Sequence, residues 1–348
     1  MKQISDRVSR LGRWLARRGT NEPAKTVIYR PAGGVGLGHL LFSLAGYSSL
    51  ARDIWAGFVS TGQSTEFDRD GTATGIFADH LTLVPDPGLP VTFGLPAIRD
   101  RLTPEALEGK RCALIGRKEA RRRAQAEFPQ LTDATFFEQE DDALSPDALR
   151  PFDVIYVDSV LPPTQLTGRI RSLRPLLVPN ADTERRAIAV CPSEPFVGVH
   201  LRHGNGEHLH GRLEGGQAEF DDYLNLVADT AREVADTAGL GAILCISDNA
   251  ETAERLAARS GGVALPPDDL PQTAWRDHIG EAGEAFNDRL TRMMVDIAAL
   301  SRGTRIVAGH SWFSESAALW GDPRRMISLT PEGTRMTTGR QPVPPEKA

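Results

Sequence analysis

The chain contains little cysteine, and its few cysteines are widely separated. Only three, Cys112, Cys191 and Cys245, occur among 348 residues, and no two of them form a CxxC pair. An odd number of scattered cysteines argues against a disulfide framework and favours a reducing compartment. Cys245 lies in the apolar run AILCIS, where we expect a small buried side chain rather than a reactive thiol.

Long apolar runs and net positive charge are also absent. No apolar stretch reaches the roughly 18 residues that a membrane-spanning helix needs, so we expect no membrane-spanning helix. The formal net charge is -6 at pH 7, which argues against general nucleic-acid binding because tracking phosphates requires a net basic surface. The length exceeds what one compact core usually holds, and we therefore expect two domains.

Residues 1–24 are basic and lack the continuous apolar core of a secretory signal. Ile4, Val8, Leu11 and Leu15 recur at helical spacing among five arginines. Such an amphipathic helix either lies on an anionic membrane surface or docks on the protein itself. The expected location is cytoplasmic, and the first alternative adds peripheral contact with the inner membrane surface.

Strand and helix patterns alternate along the rest of the chain. The first half opens with a buried strand from Thr26 to Tyr29, a glycine turn and a helix from His39 to Ile54. Further strands are predicted in GFVSTG, KRCALIG, FDVIYVDSV, FVGVHLR, GAILCISDN and RIVAG, with helical segments between most of them. This order predicts an α/β protein with parallel sheets. A proline-containing segment without clean periodicity, residues 173–195, is interpreted as a connection between the halves. The predicted domains are residues 25–180 and 181–332, followed by a tail, 333–348, that we expect to fray.

A glycine loop precedes the first helix and contains Gly33, Gly34, Gly36 and Gly38. Glycines permit a tight turn and leave N–H groups open to an anion at a helix N-terminus. No Gly-Lys-Ser/Thr follows, so the loop is not a Walker loop. Its spacing does not match the dinucleotide fingerprint, and the next strand does not end in an acidic residue. The loop is therefore either an anion site or a packing device.

The stretch VGVHLRHGNGEHLHGR, residues 197–212, holds four of the eight histidines of the chain. His200 and Arg202 fall on one face of an extended run, and an arginine on that face disfavours a bound cation. No catalytic-zinc spacing such as HExxH is present. A strand that ends in His-x-Arg and then turns on glycines suits an anion, since Arg202 can form paired hydrogen bonds to phosphate oxygens. Open α/β sheets also bind ligands at the carboxyl ends of their strands.

These residues carry a family resemblance. The segment GVHLRHGNGE closely resembles the HxRxGNGE segment of the bacterial nodulation-type, or NodZ-type, α1,6-fucosyltransferases. It is similar, more distantly, to the His-x-Arg motif of the eukaryotic core α1,6-fucosyltransferases and protein O-fucosyltransferases. Three further stretches occur in the same order as in the family: GGVGLGHLLFSLAGYSSLAR, LCISDN and VDIAALSRGTRIVAGHSWFSESAAL. The resemblance spans roughly residues 26–325.

The resemblance implies a GT-B-like α/β fold, in which two Rossmann-like domains face a cleft. The first domain would take the acceptor and the second the nucleotide sugar. It also implies inverting transfer of fucose from GDP-fucose to a sugar hydroxyl of an oligosaccharide or glycoconjugate. No cofactor and no metal are expected.

Site residues carry over by position. The resemblance implies that Arg202 contacts the β-phosphate, that His200 lies by the nucleotide and that Asp296 recognises guanine. Asp296 could instead be a surface charge on a helix, and Ser311, matched to a phosphate-binding serine, could be an ordinary N-cap. The remaining residues expected to bind the donor are Asn205, Asp248, Gly34, Gly36 and Gly38.

The general base is left open by the motif. Glu207 is its nearest carboxylate. The eukaryotic pattern places a lysine and a later glutamate after the arginine, whereas this chain has Gly206 and His210 at about those positions. Arg202, Glu207 and His210 are therefore the candidate catalytic residues. Two other functions remain: a histidine-cluster metal-dependent hydrolase, and a non-catalytic GDP-sugar-binding protein with the same fold.

Overall fold

A computed structural model of the chain describes residues 24–31, 36–61, 79–138, 145–159, 173–203, 217–265, 284–309, 311–337 and 341–342. The strands are β1 (Thr26–Pro31), β2 (Gly57–Ser60), β3 (Leu81–Leu83), β4 (Val91–Phe93), β5 (Cys112–Gly116), β6 (Thr135–Glu138), β7 (Val154–Ser159), β8 (Leu177–Pro179), β9 (Phe196–His200), β10 (Ala242–Ile246), β11 (Val263–Ala264), β12 (Arg305–Gly309), β13 (Met326–Leu329), β14 (Arg335–Thr337) and β15 (Gln341–Pro342). The helices are α1 (Leu37–Ile54), α2 (Leu95–Arg101), α3 (Pro104–Leu107), α4 (Lys118–Glu127), α5 (Pro146–Leu149), α6 (Ala181–Val190), α7 (Gln217–Ala238), α8 (Ala250–Ser260), α9 (Glu284–Ser301) and α10 (Trp312–Trp320).

The described residues form two compact units. The first unit takes residues 24–30, 47–61, 85–138 and 145–159. Its six-stranded sheet has the order β4-β2-β1-β7-β5-β6. β2 pairs in parallel with β1 and β4, and β5 with β6 and β7. Ile28, Leu114 and Tyr156 on these strands pack with Phe128 and Leu131 into the apolar core of this unit.

The second unit takes residues 31, 36–46, 79–84 and the described residues from 173 onward. Its sheet has the order β11-β10-β9-β12-β13-β14-β15, and the strands from β11 to β13 are parallel. All five residues of β9 are buried, as is typical of the centre of a parallel sheet covered on both faces. The core of this unit includes Val197, Val199, Phe220 and Tyr223.

The predicted fold class is confirmed: the chain is an α/β protein with two Rossmann-like units, as expected for a GT-B-like fold. The predicted strands and most of the predicted helices occur within a few residues of their expected bounds. Cys245 is fully buried, and burial raises the pKa of its thiol to about 11. The predicted domain boundaries stay a prediction.

Two segments contain regular structure that was not predicted from the sequence. The connection at 173–195 contains β8 and helix α6. Asn180 caps that helix by accepting from the N–H of Thr183, and Asp182 forms an i,i+4 ion pair with Arg186. Local capping and charge pairing thus produce a helix where the apolar periodicity is weak.

The described residues of the tail, 333–337 and 341–342, extend the second sheet. β14 pairs antiparallel with β13, and β15 continues the sheet. The chain reverses at Gly333, whose φ of 82° lies in the left-handed region and whose N–H donates to the carbonyl of Thr330. This turn returns the chain to the edge strand instead of releasing it into solvent.

Within the described part of the chain, no helix has the length and apolar character needed to cross a membrane. The predicted amphipathic helix in residues 1–24 lies almost wholly outside the described residues, so both of its interpretations stay predictions.

Candidate functional site

His200 is the last residue of β9, and its imidazole is held on two sides by helix α10. The ring Nδ1 lies 2.7 Å from the Ser314 hydroxyl. The Phe313 ring stacks on the imidazole with centroids 4.8 Å apart and an angle of 22° between the planes. Burial, assisted by the positive charge of Arg202, lowers the pKa of His200 to about 3. The imidazole is therefore neutral at physiological pH and can act only as a neutral donor or acceptor.

The end of β9 is joined to the end of β10 by one carboxylate. The backbone N–H of His203 donates to Asp248 Oδ1 at 2.7 Å, and Arg202 Nε lies 3.7 Å from Asp248 Oδ2. The side chains of Arg202 and Asp248 are 41% and 39% exposed, so the ion pair contributes at most about 1 kcal/mol. Arg202 is therefore positioned by Asp248 while its guanidinium stays accessible to a ligand.

The His203 side chain is used structurally. Its Nδ1 lies 2.8 Å from the Thr252 hydroxyl on α8, and its ring meets Phe220 edge-on with centroids 4.9 Å apart. These contacts hold the chain in place directly after β9, next to Arg202.

Ser311 caps helix α10. Its Oγ accepts from the N–H of Phe313 at 3.2 Å, and the residue is buried. The alternative that Ser311 is an N-cap is therefore what the geometry shows. The cap uses a lone pair of the hydroxyl, and the hydroxyl proton is not consumed by it.

Gly38, in the first turn of α1, lies against the first turn of α10. A Cβ at Gly38 would lie 2.5 Å from the backbone nitrogen of Phe313, so only glycine fits this approach. The Ser316 hydroxyl donates to the Gly38 carbonyl at 2.8 Å, and Phe42 packs on Trp312 with ring centroids 4.8 Å apart. Gly38 is thus a packing device, as one of the two interpretations of the glycine loop predicts. A Cβ at Gly36, by contrast, would meet no atom closer than 3.9 Å.

The N-terminal turns of α1 and α10 therefore lie in contact at the carboxyl edge of the second sheet. Each helix N-terminus carries about half a positive elementary charge and backbone N–H groups without helical partners. His200 contacts α10 at this point, and Arg202 follows it by two residues. A diphosphate is the type of ligand that such a concentration of donors and positive charge stabilises.

Asp296 lies on α9, a different element from those that carry the other predicted residues. The residue is 8% exposed, and its carboxylate accepts from Arg292 Nε at 2.6 Å, one turn earlier on the helix. The alternative of a solvated surface charge is wrong, because this carboxylate is buried and held in one orientation.

Several predicted residues lie outside the described part of the chain: Gly34, Asn205, Glu207 and His210. The question of the general base is therefore not tested. Among the described residues no group of three or more His, Cys, Asp or Glu side chains is placed to hold a metal ion. His208 and His210 of the proposed histidine cluster are not among those residues.

Three residues of the site, Phe313, Ser314 and Arg292, were not predicted from the sequence. Ser314 falls in the serine-rich turn HSWFSES, where the serines resemble capping residues rather than partners of a distant histidine. Arg292 stands four residues before Asp296, and this i,i+4 spacing was the available signal for the pair.

Comparison with known families finds no matching family model, and no curated protein matches. Solved structures of similar fold include the fucosyltransferase NodZ from Bradyrhizobium, with a TM-score of 0.47, 17% identity, and coverage of 89% of this chain and 95% of that one. POFUT1 in complex with GDP has a TM-score of 0.46 and 14% identity over 89% of this chain and 98% of its own. A FUT1 variant of Arabidopsis thaliana in complex with GDP has a TM-score of 0.48 and 13% identity over 95% of this chain and 78% of its own.

Proposed function

We propose that this protein is an inverting glycosyltransferase that moves L-fucose from GDP-fucose to a sugar hydroxyl of an oligosaccharide or glycoconjugate. One observation carries the proposal. His200 ends β9 of the second unit and contacts the first turn of α10, where the N-termini of α1 and α10 meet, and Arg202 follows two residues later. The fucose donor itself is inferred from the resemblance of the GVHLRHGNGE segment to the nodulation-type enzymes.

The charges that develop during transfer match this arrangement. Breaking the bond between the sugar and the β-phosphate leaves positive charge on the anomeric carbon and adds negative charge to the leaving phosphate. Arg202, oriented by Asp248, and the N–H groups of the helix N-termini would stabilise that leaving group. In many other transferases a metal ion supplies this stabilisation, and we infer that none is required here.

The acceptor hydroxyl attacks the anomeric carbon from the face opposite the phosphate. Its proton leaves late in the transition state to a general base. We propose Glu207 for this role, with His210 as the alternative within the same segment.

Recognition of the nucleotide is assigned to the remaining residues. Asp296 would accept from N1–H and the exocyclic amine of guanine, with Arg292 holding the carboxylate in place. Ser311 would use its hydroxyl proton toward a phosphate oxygen, and Asn205, Gly34 and Gly36 would complete the donor pocket. We further propose a cytoplasmic location, in which the basic N-terminal segment either docks on the protein itself or contacts the inner membrane surface.

The test measures GDP release from GDP-fucose by the purified protein in excess EDTA, with and without a chitooligosaccharide acceptor. We expect release in chelator, and a kcat about 10²-fold lower in Arg202→Lys, because lysine keeps the charge but loses the paired geometry of the guanidinium. Arg259→Lys is the matched control. Arg259 also pairs with a carboxylate of the same unit, bonding both oxygens of Asp229 at 3.0 and 2.9 Å, and should keep the parent rate.

Each competing function has its own outcome. Activity lost in EDTA and restored by zinc would favour the metal-dependent hydrolase. Tight GDP binding without any release of GDP from the donor would favour the non-catalytic binding protein. If Arg202→Lys releases GDP from GDP-fucose at the parent rate, the donor pocket does not lie at this sheet edge.

A further inference from the structure

Ser314 is buried without any exposed surface and lies one helical turn after the cap of α10. Its hydroxyl is 2.7 Å from Nδ1 of His200, across 114 residues of sequence. The stacked ring of Phe313 fixes the plane of the same imidazole. Ring plane and Nδ1 partner are therefore both set by two consecutive residues of one helix, so the direction of the second ring nitrogen, Nε2, is set as well.

The hydrogen bond between Ser314 and His200 can run in either direction. In one, Nδ1–H donates to the serine oxygen, and Nε2 carries a bare lone pair. In the other, the serine O–H donates to Nδ1, and Nε2 carries the proton. The choice determines whether the neutral imidazole offers a donor or an acceptor at Nε2.

Electrostatics favour the second direction. Nδ1 faces the first turn of α10, where the helix dipole places positive potential. A lone pair on Nδ1 is stabilised there, whereas an N–H directed at the same turn is opposed by it. Arg202, whose charge also lowers the pKa of His200, opposes a second proton on the ring.

We infer that Ser314 is a positioning residue that donates to His200 Nδ1 and so holds the imidazole as the neutral Nε2–H tautomer, a hydrogen-bond donor for the leaving diphosphate. The tautomer follows from the contact with Ser314 together with the positive potential at the first turn of α10. Its use toward a diphosphate rests on the proposed function.

The tautomer can be measured without any activity assay. Two-bond ¹H–¹⁵N correlation spectra of protein labelled at histidine distinguish the Nε2–H from the Nδ1–H form, and His200→Gln assigns the signal. We expect the Nε2–H pattern in the parent and a mixture of both tautomers in Ser314→Ala. Ser316→Ala is the matched control, because Ser316 is an equally buried serine on the same helix that bonds to the Gly38 carbonyl instead. It should leave the His200 pattern unchanged.

An Nδ1–H pattern in the parent protein overturns the inference before any variant is made. A spectrum of Ser314→Ala identical to that of the parent overturns it as well. If Ser314→Ala does not fold, Ser314→Cys replaces it, since the thiol is close in size but a weak donor, and the same mixture is expected.

Kinetics separate this inference from the proposed function. Ser314→Ala should lower kcat for GDP-fucose turnover by about 10-fold, less than loss of a direct oxyanion donor, and leave KM within about 2-fold. If the parent has the Nε2–H tautomer but does not turn over GDP-fucose, the proposed function is wrong and the inference about the tautomer is supported. If the parent turns over GDP-fucose but has the Nδ1–H tautomer, the proposed function is supported and the inference about the tautomer is wrong.

Discussion

Asp248 holds the end of β9 through His203, whose backbone N–H donates to Oδ1 of the carboxylate at 2.7 Å. The other oxygen faces Arg202. A substitution can therefore separate the charge of this carboxylate from its role as an acceptor, because an asparagine oxygen can still accept from His203.

The first prediction concerns Asp248→Asn. Removing a negative charge beside the diphosphate should let GDP bind at least as tightly as in the parent. The kcat should fall about 10-fold, because Arg202 loses the partner that orients it for the transition state. Calorimetric titration gives the affinity and GDP release gives kcat. Asp229→Asn, which removes the partner of Arg259 in the same unit, is the control. Weaker GDP binding in Asp248→Asn than in that control would contradict the assignment.

The second prediction uses two glycines of the same loop. Gly38→Ala places a methyl group 2.5 Å from the Phe313 nitrogen, and the displaced atom belongs to a helix backbone rather than a flexible side chain. We expect a loss of about 1–3 kcal/mol in the free energy of unfolding and weaker GDP binding, because the two helix N-termini are forced apart. Gly36→Ala meets nothing closer than 3.9 Å and should change the free energy of unfolding by no more than about 0.5 kcal/mol. Equal effects of the two substitutions in denaturant unfolding would show that the helices are not packed as described.

The third prediction is a pH dependence of stability. The pKa of His200 is about 3 in the folded chain, because of burial, against an ordinary value of 6.5. Below about pH 6.5 the unfolded chain therefore takes up a proton that the folded chain does not, and the free energy of unfolding falls as the pH drops toward 3.

His200→Gln cannot take up this proton in the unfolded chain. Comparing this variant with the parent therefore isolates the contribution of His200 to the pH dependence of stability. The difference in unfolding free energy between the parent and His200→Gln should shrink by roughly 2 kcal/mol between pH 7 and pH 5. His80, whose pKa is also lowered chiefly by burial, titrates in both proteins and cancels in the comparison. Parallel stability curves for the two proteins would mean that His200 is not buried as a neutral ring.

The fourth prediction addresses the general base. Glu207→Gln should leave GDP affinity nearly unchanged, because the side chain is assigned to the acceptor proton and not to the nucleotide. The rise of kcat/KM with pH should disappear, since that rise reports deprotonation of the base. If Glu207→Gln keeps both the rate and its pH profile, the base is elsewhere, and His210→Gln becomes the variant to measure.

The sequence predicted the fold where apolar periodicity decided it. β9, β10 and β12 are short apolar runs, and each forms a buried parallel strand at the centre of the second sheet. It failed where local capping or long-range pairing decided the structure. Helix α6 depends on the Asn180 cap, and β14 depends on an edge of β13 that only the folded sheet provides.

The site divides in the same way. His200 and Arg202 were predicted from a strand end, because parallel strands place their carboxyl ends at one edge, and Asp248 was carried over from the family resemblance. Ser314 and Phe313 were not, since their partner lies more than 100 residues away and no periodic signal joins them. The close approach at Gly38 likewise depends on which helix packs against it, and the sequence of the loop allowed both a packing role and a ligand role.

The central claim is that the carboxyl edge of the second sheet binds a guanine nucleotide, and competitive calorimetry with GDP, UDP, ADP and CDP tests it most directly. We predict that the parent binds GDP more tightly than the other three. In Asp296→Ala, GDP should lose about 1.5–3 kcal/mol of binding free energy, the range for hydrogen bonds to a charged group, and UDP should lose none. Equal affinity of the parent for GDP and UDP would contradict the account. Equal losses of binding free energy for GDP and UDP in Asp296→Ala would contradict it as well.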